Sequence, residues 1–91
     1  MNPREILQKE GFTHVYEWHD VPNTEYPKHA HKGKVTLYIT RGDVTFIFSD
    51  STTKTISSGQ RFDVPVGLEH RAKVGSNGCN YVVGEMIEDD S

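Results

Sequence analysis

Three histidines are the side chains of this chain best suited to bind a metal ion. One residue separates His29 from His31, and His70 follows a Pro-x-Gly turn at Pro65 and Gly67. Side chains at i and i+2 of a β-strand point to the same face, so His29 and His31 can share one ion. Three converging imidazoles would suit a divalent transition metal such as Fe, Zn, Ni, Mn or Cu. The pattern therefore predicts a metal site made of these three histidines.

The alternation of residue types around His70 predicts that its side chain points inward. In its strand the even positions are otherwise apolar, whereas the odd positions are all charged: Glu69, Arg71 and Lys73. Such alternation is typical of a strand with one buried face. Near the other two histidines, Lys28 belongs outside together with Tyr26, so His29 and His31 are expected inside. A buried neutral histidine needs a hydrogen-bond partner or a metal ion.

Length and charge limit the classes of protein to which this chain can belong. Its 91 residues predict one domain with a modest core, because only 34% of them are apolar. The net charge of −3 argues against a nucleic-acid partner. Neither a membrane span nor a signal peptide is predicted. The single cysteine, Cys79, excludes an intrachain disulfide and favours the cytoplasm, and so small a core favours a homodimer.

Beyond a short N-terminal helix, the chain is expected to consist of strands and turns. Asn2, Pro3 and Glu5 have the order of a helix start, with a cap, a proline and then an acidic residue. Turn residues every 8–12 positions or so predict about eight or nine short strands. The expected division is a lead-in helix over 1–11, a β-barrel over 12–87 and an acidic tail over 88–91.

Two dipeptides that contain glycine, and the apolar residues of two strands, complete the expected arrangement. Gly42 and Asp43 are predicted to form a hairpin turn, and Asn77 and Gly78 to start the last strand. The alternation predicts these inward-facing residues: Val35, Leu37, Ile39, Phe62, Val64 and Val66.

The histidines and glycines resemble the two sequence motifs of the cupin superfamily. The first motif has Gly, five residues, His-x-His, three or four residues, Glu, six residues and Gly. It is matched in register by His29, His31 and Gly42, whereas Asn23 and Val35 replace its first Gly and its Glu. The second motif has Gly, five residues, Pro-x-Gly, two residues, His, three residues and Asn. It is matched by Gly59, Pro65, Gly67 and His70, with Val74 in place of the Asn.

The resemblance covers residues 23–42 and 59–74. It implies an all-β fold: a small antiparallel β-barrel of the jelly-roll (cupin) type that holds a metal inside. Because the family's Glu usually supplies a fourth ligand, Val35 is the departure that matters most. Glu25 shares the parity of His29 but lies about 13 Å before it along an extended strand, and the sequence leaves open whether Glu25, Glu85 or water replaces the missing carboxylate. The last strand is apolar on both faces, so either of its two polar candidates, Tyr81 and Glu85, could enter the barrel. The expected pocket residues are Val35, Leu37, Tyr81 and Glu85.

Three neutral imidazoles would leave the metal its full charge and open coordination positions. The site resembles the three-histidine iron sites of thiol- and diketone-cleaving cupins, and it would attract a small anionic molecule. Four nearby cations either add to this field or form a solvated face: Lys28, Lys32, Lys34 and Arg41.

The sequence predicts two classes of function. The first is a metal-dependent enzyme, a dioxygenase or isomerase acting on a small anionic organic substrate, in which no catalytic residue is identified. The alternative is a non-catalytic module that binds a metal or a small ligand, as a sensor or a storage protein. Val35 also leaves open a barrel that keeps the fold without a metal.

The remaining polar and reactive residues are predicted to be structural. Cys79 is expected to be a small buried apolar side chain. His14 alternates with Phe12, Tyr16 and Trp18, an aromatic face that is expected to lie in the core or at a dimer interface. The pair at 19 and 20, His19 and Asp20, precedes a turn and is expected to be exposed.

Overall fold

One short helix and six strands make up residues 1–86, the part of the chain that the computed structural model describes. In chain order they are α1 (Pro3–Lys9), β1 (His14–Asp20), β2 (Glu25–His29), β3 (Lys34–Phe48), β4 (Thr53–Ser57), β5 (Arg61–Val64) and β6 (His70–Met86). Ile87 and the predicted acidic tail at 88–91 lie outside the described residues. Within residues 1–86, no helix has the length and apolar character needed to span a membrane.

The two long strands, β3 and β6, organise the fold. They pair antiparallel along their lengths, from Lys34 opposite Met86 to Phe48 opposite His70. β3 pairs with β5 through its first half and with β4 through its second half. β6 pairs with β2 through its first half and with β1 through its second half. This sharing of long strands confirms the expected antiparallel all-β fold of jelly-roll type, although the described strands do not pair into a closed ring.

Gly42 and Gly78 mark bends inside long strands, so the predicted hairpin at Gly42 and the predicted strand start at Asn77 are wrong. β3 continues through Gly42, with a register shift between Ile39 and Arg41. Gly42 has a φ of +80°, and a Cβ there would lie 1.9 Å from the backbone oxygen of Gly78. A glycine within a strand often marks a bulge or a close backbone approach. The predicted eight or nine strands are therefore six in the part of the chain described.

The inner faces of the strands form the main apolar core. The predicted inward set of β3 is buried: Val35, Leu37 and Ile39. Val66 is 58% exposed, so its predicted inward position is wrong. β5 ends at Val64, and Pro65 has no N–H group with which to continue the ladder. The alternation therefore holds only as far as the strand extends.

Helix α1 covers a second, smaller apolar cluster against β6. The Asn2 side chain caps the helix, since its oxygen accepts a hydrogen bond from the Glu5 amide at 2.9 Å, as predicted. Leu7 is completely buried and packs with Phe12 and Val82. Leu7 is thus the buried residue of the helix, and Glu10 at its C-terminal end pairs with Arg61 of β5 at 2.6 Å.

Replacing Leu7 with alanine is expected to lower the free energy of unfolding by about 2–4 kcal/mol, because the substitution leaves a cavity in a small cluster. Chemical denaturation measures this change. The matched control is Gln8→Ala, an exposed position of the same helix, which should change stability by less than about 0.5 kcal/mol. Equal effects of the two substitutions would show that α1 contributes no packing energy.

Candidate metal centre

The three predicted histidines lie together at one end of the β2–β6 pair. His29 ends β2, His70 begins β6, and the two are paired across the strands. The ring centroids are 4.6 Å apart for His29 and His70, 4.9 Å for His29 and His31, and 5.2 Å for His31 and His70. One potential ligand nitrogen from each ring lies within 4.8 Å of the other two. The three side chains therefore form a group that could hold a metal ion.

Backbone carbonyl groups fix which ring nitrogen carries hydrogen in two of these histidines. His29 Nδ1 lies 2.8 Å from the Pro27 oxygen, and His70 Nδ1 lies 3.1 Å from the Leu68 oxygen. A carbonyl oxygen can only accept, so Nδ1–H donates in both rings and Nε2 keeps its lone pair. His70 Nε2 is buried and has no hydrogen-bond partner among residues 1–86. A buried unpaired nitrogen is unfavourable, and a metal ion is a partner that fits it.

The surroundings of His31 and His70 favour uncharged rings. Burial lowers the pKa of His31, and the neighbouring rings of His29 and His70 lower it further. Burial is also the main cause of the lowered pKa of His70. Glu85 has the opposite, smaller effect on His31. Neutral imidazoles offer the lone pairs that metal binding requires.

The histidines line a cavity of about 250 Å³. Its wall is largely apolar and includes all four residues predicted for the pocket: Val35, Leu37, Tyr81 and Glu85. Trp18 also lines it and is 51% exposed, which places this ring at the mouth. Phe46 and Phe48 pack edge-on against the His70 ring, with centroids 5.6 and 5.8 Å away. A few polar groups on an apolar wall are typical of a small-molecule site.

A carboxylate stands across the strand pair from Val35, where the family's Glu is missing. Glu85 is directly opposite Val35 in the β3–β6 ladder, and both side chains line the cavity. Tyr16 donates a hydrogen bond to Glu85 Oε1 at 3.0 Å, and burial together with this carboxylate raises the pKa of Tyr16 to about 12. Glu85 is not a member of the three-histidine group. Glu25, the other acid considered, is exposed and paired with Lys73.

The four cations near the histidines form a solvated face. All are exposed and none lines the cavity: Lys28, Lys32, Lys34 and Arg41. Lys28 lies 3.9 Å from Glu69, and Lys34 lies over the Phe12 ring, 5.4 Å from its centroid. This confirms the interpretation of these four cations as a solvated face.

Asp20 is one of the residues at the cavity that the sequence prediction missed. It is 6% exposed, so the prediction of an exposed side chain is wrong. It accepts hydrogen bonds from Trp18 Nε1 at 3.0 Å, Tyr26 Oη at 2.5 Å and Tyr81 Oη at 2.6 Å. The sequence contains a signal for this burial. Tyr16, Trp18 and Asp20 occupy alternate positions of β1, so their side chains lie on the same face of the strand.

Tyr26 lines the cavity, and its predicted place on the outer face is wrong. The register between β2 and β6 shifts between Tyr26 and His29. Such an irregularity puts an even and an odd position on the same face. Pro27, which has no N–H group, lies within the shifted segment and was the available signal.

Of the residues expected to be structural, some are buried as predicted and others line the cavity. Cys79 is 1% exposed, and burial raises the pKa of its thiol to about 11, which confirms it as a buried apolar side chain. His14 and His19 are both exposed. The aromatic face expected in the core or at a dimer interface divides, since Phe12 is buried under α1 whereas Tyr16 and Trp18 line the cavity.

Solved structures of other proteins show the same fold as this chain. A protein from Neisseria meningitidis matches with a TM-score of 0.66 and 28% identity, over 81% of this chain and 71% of that one. An RmlC-like cupin from Shewanella frigidimarina matches with a TM-score of 0.65 and 21% identity, over 84% of this chain and 68% of that one. The DMSP lyase DddQ from Ruegeria pomeroyi matches with a TM-score of 0.71 and 17% identity, over 85% of this chain and 39% of that one.

The pairing of the strands and these likenesses agree on one architecture. No protein-family model matches the sequence, and no curated protein matches it. The chain nonetheless has the cupin fold, the RmlC-like double-stranded β-helix, in the form of a small single barrel with a group of three histidines. The resemblance stated from the sequence motifs is thereby confirmed.

Proposed function

We propose that this protein binds a divalent transition metal through His29, His31 and His70 and acts on a small anionic organic molecule in the adjoining cavity. The observation that carries the proposal is His70 Nε2, which is buried beside the other two rings and unpaired within residues 1–86. Imidazole suits Fe, Zn, Ni, Mn and Cu, so the donor set supports the class of metal without selecting one.

When bound there, such a metal supplies Lewis-acid or oxygen chemistry to a ligand. The three imidazoles add no negative charge, which favours an anionic ligand group by Coulomb attraction. The apolar wall of the cavity, which includes Val35, Leu37 and Val83, would exclude water around that ligand and strengthen the attraction. These features support a dioxygenase or an isomerase.

Glu85 is the side chain best placed to accept or return a proton in such a reaction. Its carboxylate lines the cavity and acts electrostatically on His31. The hydrogen bond from Tyr16 holds one of its oxygens and leaves the other available. The DMSP lyase among the similar structures supports the view that this fold accommodates small-molecule chemistry.

Metal content and two reaction assays test the proposal. The protein is purified, incubated separately with each of the five metals and analysed by mass spectrometry, and about one bound equivalent is expected. Iron- and zinc-loaded protein is then screened with small organic acids for oxygen consumption and for deuterium incorporation from D2O. Oxygen uptake supports the dioxygenase and deuterium exchange the isomerase. Bound metal and ligand without either reaction would favour the non-catalytic module, and failure to bind any metal would refute the proposal.

The substitution Glu85→Gln is expected to leave metal affinity within about twofold and to raise the affinity for azide about fivefold, because it removes a negative charge from the cavity wall. The visible absorption of cobalt-loaded protein, titrated with azide, measures both. Glu17→Gln is the matched control, since Glu17 is exposed on the same sheet and does not line the cavity. A tenfold loss of metal affinity in Glu85→Gln would instead identify Glu85 as a metal ligand.

A further inference from the structure

The cavity has a second polar group, at a distance from the histidines. We call it the Asp20 cluster; it consists of Asp20 and its three hydrogen-bond donors, Trp18, Tyr26 and Tyr81. All three donors line the cavity, whereas Asp20 lies behind them. Tyr26 is paired with Ala72, two residues along β6 from His70, which is a displacement of about 7 Å. The cluster therefore faces a different part of the same cavity.

Every donor hydrogen of the Asp20 cluster is already used. The Trp18 ring nitrogen and the two tyrosine hydroxyls have one hydrogen each, and each is directed to the Asp20 carboxylate. Burial and the neighbouring Asp20 raise the pKa of Tyr26 and of Tyr81, so both hydroxyls keep their hydrogen at neutral pH. The Tyr26 oxygen is itself approached by the Tyr81 hydroxyl and the Trp18 ring nitrogen, which lower its pKa somewhat. The Tyr81 oxygen keeps its lone pairs, which donation to a carboxylate makes better acceptors. The cluster can accept a hydrogen bond from a ligand but has none to donate.

The cluster also carries an unneutralised negative charge. None of the ion pairs within residues 1–86 includes Asp20. The cavity wall is largely apolar and includes Ala72, which is paired with Tyr26, so water screens the charge poorly. A hydroxyl or an ammonium group would be favoured beside the two tyrosines, and a carboxylate would be repelled.

We propose that the Asp20 cluster selects ligands whose far end, away from the metal-binding anionic group, is a hydrogen-bond donor. The substrate class is then short hydroxy or amino acids, and dicarboxylates are rejected. This inference rests on the proposed function for the anionic end. The cavity of about 250 Å³ is slightly smaller than the roughly 300–1,000 Å³ of most small-molecule sites, so the chain between the two ends is short.

Hydroxamates with different far ends test this selection, because the hydroxamate group chelates zinc while the far end is varied. The probes are 4-hydroxybutanohydroxamate, pentanohydroxamate, which has a methyl group in place of the hydroxyl, and succinic monohydroxamate, which has a carboxylate. Isothermal titration calorimetry on zinc-loaded protein measures each dissociation constant. We expect the hydroxyl compound to bind about fivefold more tightly than the methyl compound, and the carboxylate compound to bind at least about tenfold more weakly than the hydroxyl compound.

Two isosteric substitutions remove the selection by different routes. Asp20→Asn removes the charge, and Tyr81→Phe removes one acceptor oxygen while it keeps the ring. In both variants the preference for hydroxyl over methyl should fall below about twofold. Glu17→Gln, the same loss of charge at an exposed position of β1, should keep the full preference. Circular dichroism of each variant shows whether the barrel is intact, and Tyr26→Phe replaces Asp20→Asn if the latter does not fold.

The outcomes separate this inference from the proposed function. Zinc-dependent binding of all three probes without a far-end preference would overturn the selection and leave the metal centre standing. If none of the five metals binds, the metal centre is refuted, and the same probes are titrated into the metal-free protein and followed by NMR. A preference for the hydroxyl compound that depends on Asp20 would support the selection there also, and its absence would overturn it.

Discussion

Replacing His70 with alanine is expected to abolish metal binding, whereas the unsubstituted protein is expected to bind about one equivalent. His70 is almost completely buried, and its Nε2 is the one buried side-chain nitrogen or oxygen without a hydrogen-bond partner within residues 1–86. Loss of a hydrogen-bond partner behind a metal ligand typically lowers metal affinity about 10–100-fold, so loss of the ligand itself should cost more than about 100-fold. Competition with a chromophoric zinc chelator measures this affinity.

Thermal unfolding gives a second measurement of the same effect. Zinc at one hundred times its dissociation constant stabilises a folded protein by about 2.7 kcal/mol, which raises the midpoint by roughly 10–20 °C for a domain of this size. His70→Ala should lose this shift, and so should His29→Ala, which guards against misfolding at the more buried position. His14→Ala is the control, since His14 is exposed on β1. An unchanged zinc affinity in both His70→Ala and His29→Ala would exclude the three-histidine centre.

Replacing Gly42 with alanine is expected to lower the free energy of unfolding by more than about 4 kcal/mol, an effect in the range of severe backbone changes. A Cβ at this position would lie 1.9 Å from the backbone oxygen of Gly78, where no flexible side chain can move away. The φ of +80° adds strain of about 1–2 kcal/mol for a residue with a side chain. Urea denaturation measures the change, and the midpoint of thermal unfolding should fall by more than about 15 °C.

Gly59 provides a matched control for this substitution. It also has a positive φ, of +88°, but a Cβ there would have nothing within 4 Å. Gly59→Ala should therefore show the backbone strain alone, about 1–2 kcal/mol. Similar losses for Gly42→Ala and Gly59→Ala would mean that β3 and β6 can separate at the bend without disturbing the barrel.

The histidine group was predictable because it depends on local alternation. The charged odd positions beside His70 predict its inward direction. His31 lies past the end of β2, so the strand spacing that predicted its side is not the geometry that brings it to His29. The match of these positions and of Gly42 to cupin motifs then gave the fold. The short-range pattern of side chains was sufficient wherever a strand ran straight.

Features that depend on the register between distant strands were not predictable. The position of Glu85 opposite Val35 follows from the β3–β6 ladder, which no spacing within one strand reveals. The same is true of Asp20, whose burial is compensated by hydroxyls of Tyr26 and Tyr81 from two other strands. A glycine signal also does not distinguish a turn from a bulge, as Gly42 illustrates.

Pairing β2 with β6 joins the first third of the chain to the last. Closing so long a loop lowers the entropy of the chain before any contact between these strands has formed, and this entropy loss slows folding. His29 and His70, which face each other across this pair, would then meet only late on the folding pathway. A metal ion that binds the finished barrel would act mainly on the rate of unfolding, because its ligands are still apart in the transition state. The metal would then serve the protein as a determinant of its lifetime as well as of its chemistry.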